Sequence, residues 1–127
     1  MVKVKAPVSK NRLYITILGT LTLNDSIEAK MNIENSLHSL MPGFDVINDL
    51  SKFIRADDSA GTVLKEIIIL LIQNGVNKIV RVVGASKAGL IQFANNTLRL
   101  EQYQVFYVPT LEDAETYLNN KEKTGNN

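Results

Sequence analysis

Apolar runs of strand length alternate with segments of helical spacing along most of this chain. The runs at residues 44–50, 78–83 and 104–108 are each followed by a stretch in which apolar residues recur every three or four positions. Strands that alternate with helices are joined by right-handed crossovers and lie parallel in one sheet. This order predicts an α/β fold.

The N-terminal part predicts a different kind of pairing. Residues 2–6 and residues 13–17 each alternate apolar with polar side chains, and Pro7 lies between them. Two alternating strands joined by a short polar loop indicate an antiparallel β-hairpin, and its second strand could extend to Leu23. The expected architecture is therefore a mixed sheet, with an N-terminal β-hairpin followed by alternating helix-strand units.

Four main helices are expected. The first begins at Asn24, Asp25 or Ser26, all of which can cap a helix, and it buries Ile27 and Met31. The remaining helices cover residues 63–72, a segment that begins at Ser86 and a segment that begins at Thr110. The length predicts a single domain over residues 1–120, followed by a polar C-terminal tail over residues 121–127.

Composition excludes several classes of function. The chain has no cysteine, so disulfides, thiolate nucleophiles and cysteine-bound zinc are impossible. A net charge of +1, with both signs mixed along the sequence, argues against a nucleic-acid-binding protein. The most apolar run, Ile67–Ile72, is too short to cross a bilayer, and the N-terminus lacks the apolar core of a signal peptide. We expect a cytoplasmic protein that does not act on membranes.

Three motifs resemble catalytic or cofactor sites without their full chemistry. His38 is the single histidine and has no partner for a metal site or a catalytic triad. Residues 84–89 have the glycine spacing of a phosphate-binding loop but lack the lysine and hydroxyl residues that should follow. The pair Asp57-Asp58 suits the first turn of a helix better than a magnesium site. The sequence therefore predicts no enzyme activity, no catalytic residue, no metal and no cofactor.

Arg81 lies inside an otherwise apolar predicted strand. A charged side chain is seldom buried without compensation. Either its head reaches solvent at a sheet edge, or it pairs with Asp49, Asp57 or Asp58.

Two polar segments fall where α/β proteins place binding sites. Asp49 and Ser51 follow a buried strand, whereas Asp57, Asp58 and Ser59 open the next helix. A helix N-terminus offers unpaired backbone N–H groups and a partial positive charge. These positions suit a protein partner, an anion or a phosphoryl group.

The same two segments resemble the STAS domain, or SpoIIAA-like, family of anti-sigma-factor antagonists. The resemblance lies in Asp49-Leu50-Ser51, a short connector and Asp57-Asp58-Ser59-Ala60-Gly61, where the family has Asp-Leu-Ser, a few residues and Asp-Ser-Ser-Gly. The element order is also similar over nearly the whole chain. Small uncharacterised bacterial members of the group share further similarity at residues 42–46 and 111–114.

The resemblance implies a regulatory protein–protein interaction domain without catalysis. In phosphoregulated members a kinase modifies a serine at this helix start, and counting from Asp49 makes Ser59 the phosphoacceptor. Alignment on Gly61 instead places Ala60 there, which would abolish the phosphoswitch. The implied partner is an anti-sigma-factor or kinase-like regulator, and a homodimer is possible.

Two functional hypotheses follow. In the first, a protein partner binds a surface that comprises Asp49, Ser51, Asp57, Asp58, Ser59 and Gly61. In the alternative, the domain binds a small molecule or lipid in an apolar pocket beside the second helix, with Phe44, Phe53 and Phe93 as candidate walls.

Overall fold

The computed structural model describes residues 1–84 and 104–125. Within these ranges the chain forms seven strands and three helices. The strands are β1 (Val2–Lys5), β2 (Arg12–Ile17), β3 (Gly19–Leu21), β4 (Asp45–Asp49), β5 (Phe53–Ala56), β6 (Lys78–Val82) and β7 (Gln104–Val108). The helices are α1 (Leu23–Leu37), α2 (Asp58–Gln73) and α3 (Leu111–Gly125).

Five strands form the main sheet in the order β1-β2-β4-β6-β7. Strand β1 is antiparallel to β2, with Val2 opposite Ile17 and Lys5 opposite Tyr14, whereas β2, β4, β6 and β7 are parallel. The predicted mixed sheet with an N-terminal hairpin is confirmed. The predicted helix beginning at Ser86 lies outside the described residues, as does most of the glycine-containing loop at residues 84–89.

The extended segment after β2 leaves the main sheet at Gly19. This glycine has a positive φ of 68°, and the pairing register shifts between Gly19 and Thr20. Beyond it, β3 pairs in parallel with β5 in a separate two-stranded sheet. The expectation of one strand from Leu13 towards Leu23 is wrong, because the positive φ turns the backbone out of the pleated line.

Helix α1 begins earlier than expected and buries a different face. Its N-cap is Thr22, whose Oγ1 accepts a hydrogen bond of 3.1 Å from the backbone N–H of Asp25. The predicted caps Asn24, Asp25 and Ser26 therefore lie inside the helix. Ile27 and Met31 are exposed, contrary to the prediction. The buried face consists of Ser26, Ala29, Ile33 and Leu37.

Helices cover both faces of the main sheet. Helices α1 and α2 pack on one face over a core that includes Ile15, Val46 and Ile79. Helix α3 packs on the other face over a smaller core made of Ile47, Val80, Val82, Ala114 and Leu118.

A polar cluster also holds α3 against β2. Glu115 Oε1 accepts hydrogen bonds from Tyr14 Oη at 2.6 Å and from Arg12 Nη1 at 3.0 Å. Lys10 Nζ lies 3.7 Å from the other carboxylate oxygen. Arg12 is almost fully buried, so Glu115 supplies the opposite charge that a buried guanidinium requires.

Helix α3 continues to Gly125. The division of the chain into a domain over residues 1–120 and a polar tail stays a prediction. Across the ranges that the structure describes, no helix has the length and apolar character needed to cross a bilayer.

Candidate functional site

Asp49 and Ser51 form a tight polar turn at the carboxyl end of β4. Asp49 Oδ1 accepts hydrogen bonds from the backbone N–H of Ser51 at 3.0 Å and from Ser51 Oγ at 2.7 Å. An Asp side chain that accepts a hydrogen bond from the backbone N–H two residues ahead forms an Asx-turn, which mimics a backbone turn. Both residues are half-buried. The carboxylate is thus used to shape the loop.

This turn lies where the carboxyl ends of three parallel strands meet. The backbone N–H of Leu50 donates to Val82 O at 2.8 Å, and that of Gly84 donates to Pro109 O at 3.2 Å. Gly84 has a φ of +54°, and a Cβ there would lie 2.8 Å from Ser51 Cβ. Open α/β sheets bind ligands outside this edge.

The start of α2 carries the second predicted segment. Asp57 occupies the N-cap position, but its side chain makes no capping hydrogen bond. Its Oδ1 instead accepts a hydrogen bond of 3.3 Å from Arg55 Nη1. The acidic pair was predicted to suit the start of a helix, and its position agrees, since Asp57 is the N-cap residue and Asp58 lies in the first turn. The Asp57 side chain bonds Arg55 and not a backbone N–H of the helix.

The first turn of α2 presents two polar side chains to solvent. Asp58 and Ser59 are exposed, whereas Ala60 and Gly61 are buried. The backbone N–H groups of Ala60 and Gly61 donate to Asp57 O at 2.9 and 3.3 Å, which starts the helix. Of the two alternative acceptor positions, Ser59 has an accessible hydroxyl and Ala60 is covered.

Helix α1, which packs beside α2, carries exposed apolar side chains. Leu23, Ile27 and Met31 follow one another at four-residue spacing on α1 and are 39%, 45% and 60% exposed. Lys30 Nζ lies 3.5 Å from Glu66 Oε2 of α2. This ion pair shows that α1 and α2 lie side by side. We call Leu23, Ile27, Met31, Asp58 and Ser59 the α1/α2 face.

Sequence reasoning missed the α1 part of this face because it assigned Ile27 and Met31 to the core. The helix carries two apolar rows, one through Ile33 and Leu37 and one through Ile27 and Met31, and only one can face the sheet. The signal was the small residues Ser26 and Ala29, which let a helix approach closely and mark the packed side.

Arg81 is buried on the sheet face that α1 and α2 cover. Its Nη1 donates a hydrogen bond of 3.0 Å to Tyr107 Oη, and its guanidinium lies 5.7 Å from the centre of the Tyr107 ring. The side chain is 0% exposed, so the alternative in which its head reaches solvent is wrong. The neighbouring parallel strand supplies a partner because Arg81 and Tyr107 are in register.

An internal cavity of about 30 Å³ lies between the sheet, α1 and α2. It is mostly apolar, and Ser26, Asn48 and Arg81 contribute polar groups to its lining. This volume accommodates water, which needs about 10–15 Å³ by this measure, whereas small-molecule sites occupy about 300–1,000 Å³. The cavity is therefore far too small for a lipid or a small molecule, and neither Phe44 nor Phe53 lines it. Phe93, the third candidate wall, lies outside the described residues, so the predicted pocket stays a prediction.

Other candidate chemical groups are dispersed. His38 is an exposed residue at the C-cap of α1. Over the described ranges, 1–84 and 104–125, no group of three or more histidine or acidic side chains is arranged to hold a metal ion.

Comparison with solved structures identifies the fold. An uncharacterised DUF3478-family protein from Shewanella loihica PV-4, described as having a SpoIIAA-like fold, superposes with a TM-score of 0.66 at 12% identity over 93% of this chain and 92% of its own. The chain has a SpoIIAA-like fold.

The anti-sigma factor antagonist SpoIIAA in its unphosphorylated form gives a TM-score of 0.59 at 10% identity, over 94% of this chain and 98% of its own. No protein-family model matches the sequence, and no curated protein does. The predicted resemblance to the SpoIIAA-like group is confirmed for the fold.

Proposed function

We propose that this chain is a non-catalytic regulatory domain that binds a protein partner in the cytoplasm, as the family resemblance implies. The observation that carries the proposal is the α1/α2 face. The exposed apolar side chains of α1 and the solvent-facing Asp and Ser of α2 offer both apolar area and charge to an interface. The Asp49–Ser51 turn lies at the carboxyl ends of the parallel strands, where open α/β sheets bind their ligands.

Charge reversal at Asp58, the one charged residue of this face, tests the proposal. The Asp58→Lys variant should recover much less of the partner than wild type in a pull-down from native lysate, because it inverts the charge presented to that partner. Glu112→Lys is the matched control, since Glu112 is an exposed acid in the first turn of α3 on the opposite side of the sheet. Equal recovery by wild type and Asp58→Lys would contradict the proposed surface.

We further propose that Ser59 is a poor phosphoacceptor. Its hydroxyl is exposed at a helix N-terminus, which favours a phosphate, but the neighbouring Asp58 repels one. The permanent charge of Asp58 then takes the part that a phosphate has in phosphoregulated relatives. Mass spectrometry of protein from its native cells should find Ser59 largely unmodified, and phosphate there in high yield would refute this.

A further inference from the structure

Strand β1 forms one edge of the main sheet, and none of the described strands pairs with its outer side. Met1 and Leu18 exchange two backbone hydrogen bonds, since Leu18 N–H donates to Met1 O at 2.9 Å and Met1 N donates to Leu18 O at 3.2 Å. In an antiparallel ladder such bonded pairs alternate with pairs that exchange no bonds. The register therefore turns the backbone groups of the two lysines of β1 towards β2 and those of Val2 and Val4 outwards, where a further strand can bind them.

The two faces of this edge strand differ in chemistry. Val2 and Val4 pack against the core beneath α1 and α2, so the alternation of a strand places Lys3 and Lys5 on the α3 face. Lys5 Nζ accordingly lies 5.9 Å from the centre of the Tyr14 ring, which packs on that face. Both lysines are exposed, and within the described ranges neither forms an ion pair with an acidic side chain. The edge thus offers two uncompensated positive charges on one face.

A groove of about 210 Å³ borders β1 on the opposite face, beside the first half of α1. Its lining consists of Met1, Val2, Asp25, Glu28 and Ala29. The volume is several times the roughly 30 Å³ that a water molecule takes up in the liquid, so the groove admits a side chain. Met1 N lies 3.2 Å from Asp25 Oδ2, and these two charges compensate each other. The carboxylate of Glu28 then disfavours an acid here, whereas Val2 and Ala29 favour an apolar group.

We propose that β1 binds an extended acidic segment of a partner protein by antiparallel strand addition. Acidic side chains of the added strand lie opposite Lys3 and Lys5, and the apolar side chains that alternate with them lie opposite Val2 and Val4. Opposite charges in directly facing positions stabilise a strand pair, whereas like charges destabilise it. A second copy of the chain, joined antiparallel about a twofold axis, would place lysine opposite lysine, so the same residues disfavour self-association.

Short peptides of defined pattern test the charge preference. A six-residue peptide that alternates glutamate with valine should shift the amide NMR signals of Val2–Lys5 saturably. It should also slow hydrogen exchange at the amides of Val2 and Val4, because these groups gain bonds to the added strand. A peptide that alternates lysine with valine should do neither. Equal affinity for the glutamate and lysine peptides would overturn the proposal.

Blocked backbone groups distinguish strand addition from simple charge attraction. In the proposed pairing the valines of the peptide lie opposite Val2 and Val4 and exchange hydrogen bonds with them. Methylation of the valine nitrogens of the peptide should therefore abolish binding. Methylation of its glutamate nitrogens, which face away from β1, should leave the affinity unchanged. Equal binding by the two methylated peptides would overturn strand addition.

Charge reversal on β1 supplies the protein variants. The double variant Lys3→Glu/Lys5→Glu should bind the glutamate peptide at least about fivefold more weakly and should bind the lysine peptide instead. Lys65→Glu, at an exposed position on α2, is the control and should leave the affinity for the glutamate peptide unchanged. A double variant that keeps the glutamate peptide, or that has a native NMR spectrum yet binds neither peptide, would contradict the site.

Two further measurements separate this edge from the α1/α2 face and from self-association. Asp58→Lys should keep the affinity for the glutamate peptide, because Asp58 lies in the first turn of α2 and does not border β1. The regulatory role proposed for the α1/α2 face and the role of β1 can therefore fail independently. The glutamate peptide should leave sedimentation of the protein unchanged, and a dimer that dissociates on its addition would overturn the assignment to a partner protein.

Discussion

Glu115 is a single residue on which the position of α3 depends. It accepts hydrogen bonds from Tyr14 and Arg12 of β2, and Arg12 is almost fully buried. The apolar residues that α3 buries, Ala114 and Leu118, give a small core. The charged contact adds to the apolar packing that holds this helix on the sheet.

Replacement of this carboxylate should destabilise the protein. We expect Glu115→Gln to lower the free energy of unfolding by about 1–2 kcal/mol, because Arg12 loses its charged acceptor while the amide oxygen still accepts a hydrogen bond. Urea denaturation measures the loss. Glu112→Gln, at an exposed position on the same helix, should change stability by less than about 0.5 kcal/mol. Equal effects of the two substitutions would contradict the role of Glu115.

The same residue should make stability depend on pH. Burial raises the pKa of Glu115, but the hydrogen bond from Tyr14 and the charges of Lys10 and Arg12 outweigh it, so the pKa lies below its ordinary value. A carboxyl group with a lowered folded-state pKa contributes stability that is complete above its unfolded pKa and is lost as the pH falls through the folded pKa.

The stability difference between wild type and Glu115→Gln should therefore be constant near neutral pH and shrink in acid, below the ordinary glutamate pKa. Burial raises the pKa of Asp45, which acts in the opposite direction, but Asp45 is present in both proteins and its effect cancels. Urea denaturation of both proteins from neutral pH down to about pH 3 tests this, within the acid range where glutamate titrates. A difference that grows on acidification would contradict it.

At the scale of elements, the sequence predicted the parallel strands well and the junctions poorly. Strands β4, β6 and β7 are strongly apolar and have strand length, so period and composition agree. Strand β5 was taken for a connector because only Phe53 and Ala56 of its four residues are buried. Its partner β3 is separated from β2 by the bend at Gly19. The local sequence pattern does not show which strand an extended segment pairs with.

Two glycines with positive φ should respond differently to alanine. A Cβ on Gly84 would lie 2.8 Å from Ser51 Cβ, whereas a Cβ on Gly19 would meet nothing within 4 Å. We expect Gly84→Ala to cost about 2–4 kcal/mol from backbone strain and steric overlap, and Gly19→Ala about 1–2 kcal/mol from strain alone. Thermal and urea unfolding measure both. A larger loss of stability for Gly19→Ala than for Gly84→Ala would contradict the close approach of Gly84 to Ser51.

The choice of face on α1 can be tested in the same way. Ile33 is fully buried and Ile27 is 45% exposed. Ile33→Ala should lower the free energy of unfolding by about 2–5 kcal/mol, because it leaves a cavity in the core. Ile27→Ala should cost less than about 1 kcal/mol, since the side chain already contacts water. Similar losses would mean that the helix is rotated from its described position.

At the scale of the whole molecule, the fold class was predictable and the composition of the candidate site was only partly so. Alternating patterns and the Asp49 and Asp57 segments led to the SpoIIAA-like fold. The proposed face also needs Leu23, Ile27 and Met31, which join it only when α1 and α2 pack side by side. The internal cavity likewise arises from tertiary packing and leaves no trace in local spacing.

The bend at Gly19 has a consequence for how this chain can change over evolutionary time. Residues 50–57 return to α2 through a two-stranded ribbon outside the five-stranded sheet, so substitutions at its exposed positions Lys52, Ile54 and Arg55 leave the register of the five strands untouched. The segment that introduces Asp58 and Ser59 can therefore change in sequence at these positions while Leu50, Phe53 and Ala56 stay packed in the core. Descendants of one scaffold could acquire different binding preferences at that end by this route alone.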